Sequence, residues 1–190
     1  MAKLNRKELI IREAASIFKQ KGYSATTMRE LAEKVGIEAA SLYNHIRSKD
    51  EILEEICFKV ANQYVSHIGK IEDMEASVVQ KLGELISLHV RMIISEPNEV
   101  SVANNDWKNL SETKKELYKQ IRKGYEKRIA TLIREGIQNG ELKNINVSVA
   151  LFTLLSSLRW IELWYKPERE VTPEQLENDL MTILIEGFQK

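Results

Sequence analysis

From Thr27 to Lys49 the chain reads TMRELAEKVGIEAASLYNHIRSK, and the spacing of its polar, apolar and glycine residues predicts two short amphipathic helices joined by a tight turn. Thr27 stands three residues ahead of Glu30, the separation at which hydroxyl and carboxylate satisfy each other's backbone N–H groups in a capping box. Leu31, Ala32 and Val35 then share one apolar edge, while Arg29, Glu30, Glu33 and Lys34 stay in water. Gly36 ends the helix because it alone accepts a positive φ without a steric penalty. Beyond the turn, Ala39, Leu42 and Ile46 form a second apolar stripe, and Ala40 is small enough for the first helix to approach closely. Ser48 and Glu51 repeat the capping-box spacing, so a third helix is expected to start near Lys49. This is the layout of a helix-turn-helix.

Such a layout implies a duplex DNA partner, and the outward residues sort by what they can touch. Tyr43, His45 and Lys49 can donate to phosphate oxygens, which positions a reader without conveying sequence. Ser41 and Asn44 are candidates for base edges, Glu38 for cytosine N4, and Thr27 completes the candidate surface. Charge supports the same partner. Residues 1–49 hold ten Lys/Arg and five Asp/Glu, a net +5, whereas the remainder carries −5, so the zero total conceals a basic head on an acidic body. A localised basic surface is what counterion release from DNA requires.

The segment from Asn5 to about Ile56, with its KGYSATTMRELAEKVG and SLYNHIRSKDEIL stretches, resembles the DNA-binding domain of the TetR family of one-component bacterial regulators. The resemblance covers over a quarter of the chain. It implies that the first helix supports the reader, that the third helix enters the major groove, and that Tyr43 and Lys49 contact phosphates. This chain has Ala39 and Ala40 where many members carry Lys-Gly, and Ile46 where an aromatic residue is usual, so base preference does not transfer.

The remaining residues have the length and period of a larger helical body. Only eight Gly and three Pro punctuate the 190 residues, and the segments between them run at helical period. The expected fold is all-α: a three-helix DNA-binding domain over residues 1–50, and a helical ligand-binding and dimerisation domain over 51–190. Helices are expected over Ala76–Ser95, ended by Pro97, over Glu112–Asn139, over Asn146–Tyr165 and over Pro173–Gln189. The second of these should bury Leu117, Ile121, Tyr125, Ile129, Leu132, Ile133 and Ile137, and the last Leu176, Leu180, Ile183, Leu184 and Phe188. The helix from Asn146 has almost no polar face, so it needs cover on more than one side. Paired with the last helix and their copies in a second chain, it would close a four-helix bundle, predicting an obligate homodimer. Two readers about 34–36 Å apart would then address half-sites of a near-palindromic operator. Cys57 stands alone on an apolar helix face and is expected to be an inert buried thiol. MAKLNRKELI is unlike a signal peptide and no uninterrupted apolar run spans a bilayer, so no membrane partner and a cytoplasmic, nucleoid-associated location are expected.

A second resemblance concerns ligand. LLSSLRWIELWYKPEREVTPEQL, Leu154 to Leu176, and WKNL, Trp107 to Leu110, are similar to the ligand-binding domain of a TetR subgroup that senses acyl-CoA thioesters. An acyl chain needs an apolar tunnel, for which Met92, Trp107, Tyr125, Phe152, Trp160 and Trp164 are candidates; a CoA head needs cations, for which Arg91, Lys119, Arg122 and Arg159 are candidates. Arg159 among Leu158, Trp160 and Ile161 would be costly to bury unless paired, for instance with Glu162. The expected function is a repressor released from its operator when a small hydrophobic effector favours a state in which the helix from Asp50 has swung. Alternatives are an architectural DNA-binding protein without effector and a regulator of multidrug efflux with a hydrophobic drug ligand. Catalysis is not indicated: phosphate-loop, GxSxG and HExxH motifs are absent. His45, His67 and His89 are too far apart in sequence to form a metal pair on one helix; His67 and His89 are expected on helix surfaces, with lining of the effector pocket as the alternative. No cofactor and no metal are expected.

Overall fold

A computed structural model describes residues 5–166 and 171–189. Lys3, one of the cations counted in the head, and residues 167–170 of the second resembling stretch lie outside the described residues. The described elements are α1 (Arg6–Lys21), α2 (Met28–Val35), α3 (Ala39–Tyr43), α4 (Lys49–Glu72), α5 (Val78–Ser95), α6 (Pro97–Asn105), a 3₁₀ turn (Trp107–Asn109), α7 (Glu112–Gln138), α8 (Val147–Trp164) and α9 (Pro173–Met181), which continues into a π turn (Thr182–Glu186). No strand occurs among the described residues; Leu142 and Gln189 form an isolated antiparallel bridge. The all-α expectation holds.

The chain forms two compact units, one from residues up to Asn62 with Asn98–Gln120, the other from Gln63–Pro97 with residues from Ile121 onward. The first unit therefore gathers more than the N-terminal fifty residues. Its core joins Ile10, Ala14 and Phe18 of α1, Leu31 of α2, and Ile52, Leu53 and Ile56 of α4 to Val100, Val102 and Ala103 of α6. Helix α6 has its own cause. Pro97 stops α5 and then serves as the first residue of α6, where a fixed φ and a missing N–H cost nothing. Tyr118, rather than the expected Leu117, turns inward from α7: Leu117 is 45% exposed, while the Tyr118 hydroxyl donates to the Ala103 carbonyl at 2.9 Å. The Tyr118 ring lies between Phe58 and Trp107, 5.8 and 5.9 Å away. Cys57 is buried, and burial, with the Asp106 carboxylate nearby, pushes its thiol up to about 12.

The second unit packs Leu82, Leu85, Ile86 and Val90 of α5 with Ile129, Leu132 and Ile133 of α7 and Leu154, Leu158 and Ile161 of α8. Gly83 leaves room for the end of the Met181 side chain of α9, whose Cε would lie 2.5 Å from a Cβ there. The π turn changes one expectation. It widens the helix by a residue, so Leu184 and Ile185 turn inward and Ile183, expected in the buried stripe, is 69% exposed. Helix α8 has its inner side covered and its outer side open. By length and composition it is apolar enough to cross a bilayer, although Thr153, Ser156, Ser157, Arg159 and Glu162 interrupt its apolar run. The inner residues Ala150, Leu151, Leu154, Leu158 and Ile161 nevertheless pack within the unit.

Candidate nucleic-acid interface and effector site

The head is assembled by local caps and a few long-range polar contacts. Thr27 Oγ1 accepts from Glu30 N at 3.2 Å, and Glu30 Oε2 accepts from Thr27 N at 2.9 Å, closing the expected capping box. Lys21 Nζ is 2.8 Å from Glu30 Oε1; with the cap hydrogen bonds it holds the Glu30 carboxyl at about 2. Gly36 adopts φ 73° and ψ 37°, and the turn is closed by Ile37 N donating to Ala32 O at 3.0 Å. At the start of α4, Ser48 Oγ accepts from Glu51 N as expected, but the Glu51 carboxylate reaches Arg47 N at 2.8 Å instead of Ser48 N. That hydrogen bond, followed by the Lys7 ammonium, lowers the Glu51 pKa.

Helix α3 is only five residues long. Leu42 and Ile46 are buried and anchor it, while Glu38, Ser41, Tyr43, Asn44 and His45 all face solvent, Tyr43 with 53% of its surface exposed. Two expectations about the packed side change. Ala39 and Ala40 are both exposed, so neither forms the seam with α2, because the short helix turns only Leu42 inward. Glu38 is the N-cap of α3 and makes no side-chain capping bond, which leaves its carboxylate available to a donor outside the chain.

Lys49 has a different environment from the one its spacing suggested. Its ammonium donates to the backbone carbonyls of Tyr23 at 2.9 Å, Thr26 at 2.8 Å and Ser24 at 3.4 Å, and lies 4.5 Å from the Tyr23 ring centroid. These contacts use all three of its N–H groups. The Tyr23 hydroxyl donates in turn to Asp50, and burial followed by this carboxylate raises the Tyr23 pKa. The first two residues of α4 thus fasten the α1–α2 turn. Thr27 is likewise committed to its cap.

The second unit contains a buried aromatic and polar cluster. His89 Nε2 is 2.9 Å from the Tyr125 hydroxyl, and its ring stacks on Tyr64 at a centroid distance of 4.4 Å. His89 is in the core, not on a helix surface as expected: the inward side of α5 closes over it. Burial, with a lesser contribution from His67, lowers its pKa to about 3, and burial raises that of Tyr125. His67 is partly buried beside Glu84, and desolvation lowers its pKa too. Gln63 and His67 complete the inward α4 face. Sequence reading passed over Gln63 and Tyr64; the available signal was their i, i+4 and i+1, i+4 relations to His67 along α4. Arg128 of α7 grips α4 from outside the cluster, donating to both Glu72 carboxylate oxygens and, at 3.2 Å, to the Val65 carbonyl.

The other effector candidates are dispersed. Met92 is buried on α5; Arg91 is exposed and paired with Glu84 at 2.7 Å. Trp107 is stacked on Tyr118 within the first unit. Phe152, Trp160 and Trp164 are 53%, 62% and 41% exposed on α8, and Arg159 beside them is exposed as well, so no buried charge arises there. Lys119 is exposed, 3.5 Å from Glu116, and Arg122 is half-buried. Among the described residues, no three His, Cys, Asp or Glu side chains are grouped to hold a metal ion.

Comparison with known proteins matches residues 10–56 to the family described as "Bacterial regulatory proteins, tetR family" and residues 75–188 to "Tetracyclin repressor-like, C-terminal domain". The chain is 24% identical over 187 residues to the HTH-type transcriptional repressor KstR2 of Mycolicibacterium smegmatis, covering 97% of this chain and 91% of the relative. The solved structure of the ketosteroid transcriptional regulator KstR2 of Mycobacterium tuberculosis superposes with a TM-score of 0.93 at 23% identity, covering 99% of this chain and 97% of that one. A structure of AibR in complex with isovaleryl coenzyme A and operator DNA superposes with a TM-score of 0.84 at 22% identity, covering 95% and 98%.

Proposed function

We propose, since the chain belongs to the TetR family and is a DNA-binding transcriptional regulator, that it is a repressor whose α3 face reads a near-palindromic operator and whose second unit takes a small hydrophobic effector. The observation that carries the DNA reading is the division of α3: Leu42 and Ile46 buried, and Glu38, Ser41, Tyr43, Asn44 and His45 exposed together. In this reading Ser41, Asn44 and Glu38 meet base edges, Tyr43 and His45 meet phosphates, and Thr27 holds the start of the supporting helix. Lys49 sets the frame from behind. Residues 1–50 supply the reader and 51–190 the effector and dimer surfaces.

Dimerisation is assigned to α8 and α9. Val149, Phe152, Trp160 and Leu163 repeat along the outer side of α8 and are 64%, 53%, 62% and 59% exposed, with Ile183 beyond α9 at 69%. An apolar stripe of that size, interrupted by the small Ser156, is what a two-fold related copy would cover. An acyl-CoA is the effector class that the named AibR complex supports, with the acyl part beside Tyr125 and Met92 and Arg91, Arg122 and Arg159 as the candidate cations for the head. Differential binding of about 1–3 kcal/mol would change operator occupancy 5- to 150-fold. Selection of duplexes from a random pool tests the DNA reading: enrichment of a two-fold related sequence is expected, and failure to enrich any duplex at low salt would overturn it.

A further inference from the structure

Two polar atoms on α4 are sealed from solvent and have no hydrogen-bond partner among the described residues: Gln63 Oε1 and His67 Nε2. Four residues apart, they share one face of the helix. The orientation of the Gln63 amide follows from its other end, because Nε2 donates to Glu96 Oε1 at 3.3 Å and only a nitrogen can do so. His67 Nε2 has only a long contact, 3.4 Å, to Glu84 Oε1, an oxygen that Arg91 already holds at 2.7 Å. Buried polar groups are nearly always satisfied, and two orphans on one helix face need an explanation.

Their chemistry narrows the partner. An amide oxygen only accepts, so Gln63 requires a donor; a neutral imidazole nitrogen accepts or donates according to tautomer. Charge is unwelcome here. Burial holds the His67 ring below its ordinary pKa, with Arg91 and Lys70 adding to the shift and Glu84 opposing it; burial keeps His89 neutral, and Arg91 and Arg128 are paired with Glu84 and Glu72. A hydroxyl is the smallest neutral group that gives one hydrogen bond and accepts another. We infer that Gln63 and His67 form a site for a hydroxyl group carried on the apolar part of the effector. This rests on the reading that the second unit seats the effector. The hydroxyl has two sources, a free alcohol or a hydroxyacyl thioester.

Calorimetric titration of the full chain with matched probes separates these sources. One pair is 1-decanol and 1-methoxydecane, in which the ether keeps the acceptor and loses the donor; the other is 3-hydroxydecanoyl-CoA and decanoyl-CoA. In at least one pair the hydroxylated probe is expected to bind about tenfold more tightly, the scale of one well-made hydrogen bond. Gln63→Leu should bring that ratio close to one. The substitution also removes the Nε2–Glu96 hydrogen bond, so the control is the affinity for the probe without the hydroxyl, which the variant should keep within about threefold. Absence of discrimination in both pairs, including failure of all four probes to bind, overturns the inference, as does discrimination that survives Gln63→Leu. Discrimination in the decanol pair alone supports the hydroxyl site and sinks the thioester reading. Operator binding, measured separately by fluorescence anisotropy, stands or falls independently.

Discussion

Lys49→Met separates two roles that one lysine at the start of α4 can play. The side chains are similar in length, but methionine cannot donate to the carbonyls of Tyr23, Ser24 and Thr26 that the ammonium now joins. Two of these contacts are short, 2.9 and 2.8 Å, and a hydrogen bond to a charged group contributes about 1.5–3 kcal/mol. The 4.5 Å approach to the Tyr23 ring adds roughly 0.5–1 kcal/mol. Because Lys49 is half-buried and its carbonyl partners regain some water, the expected loss of stability is about 2–4 kcal/mol. Urea denaturation reads that quantity directly. The salt dependence of DNA binding reads the rival role, since each phosphate contact contributes about 0.9 to the slope of log K against log salt. A lysine that fastens the α1–α2 turn gives a variant with lower stability and an unchanged slope, once measured at a temperature where the head is folded. A slope reduced by about 0.9 with unaltered urea midpoint would refute the reasoning and return Lys49 to the phosphate contacts.

Other consequences follow from the same contacts. Tyr43→Phe should weaken binding to selected and unrelated duplexes alike, by about 0.5–1.5 kcal/mol, whereas Asn44→Ala should redistribute base preference in a repeated selection; an exchange of these two outcomes would reverse their assignments. Trp160→Asp places a charge in the outer stripe of α8, where Trp160 is 62% exposed, and should raise the dimer dissociation constant by at least about a hundredfold in sedimentation equilibrium. A dimer of undiminished affinity would place the interface elsewhere. His89 provides the pH prediction. Its pKa of about 3 in the folded chain lies below the ~6.5 of an unfolded histidine, so between those values the unfolded state takes up a proton that the folded state refuses. Stability from this group is complete above about pH 6.5 and declines as the pH falls toward 3, and the urea midpoint of His89→Phe should fall less between pH 7 and pH 5 than that of the wild type.

The elements of this protein were largely readable from neighbouring residues. Thr27 with Glu30, Gly36, and the inward Leu42 and Ile46 depend on interactions within a turn or two of helix, and local spacing states such interactions directly. The same holds for the apolar runs that became α5, α7 and α8, and for the outward face of α3. Where local rules admit two answers, the tertiary structure chose: Tyr118 over Leu117, Ile185 over Ile183 after the π turn, and Arg47 N over Ser48 N for Glu51. Residues from distant segments decided the rest. Lys49 meets carbonyls more than twenty positions away, and His89 meets Tyr125 thirty-six positions away. Periodicity says which face of a helix turns inward, but not which side chain of another helix waits there. That identity depends on the three-dimensional path of the chain, and it gave Lys49, a candidate phosphate contact, backbone carbonyls as partners and placed His89, expected on a surface, at the centre of the polar cluster.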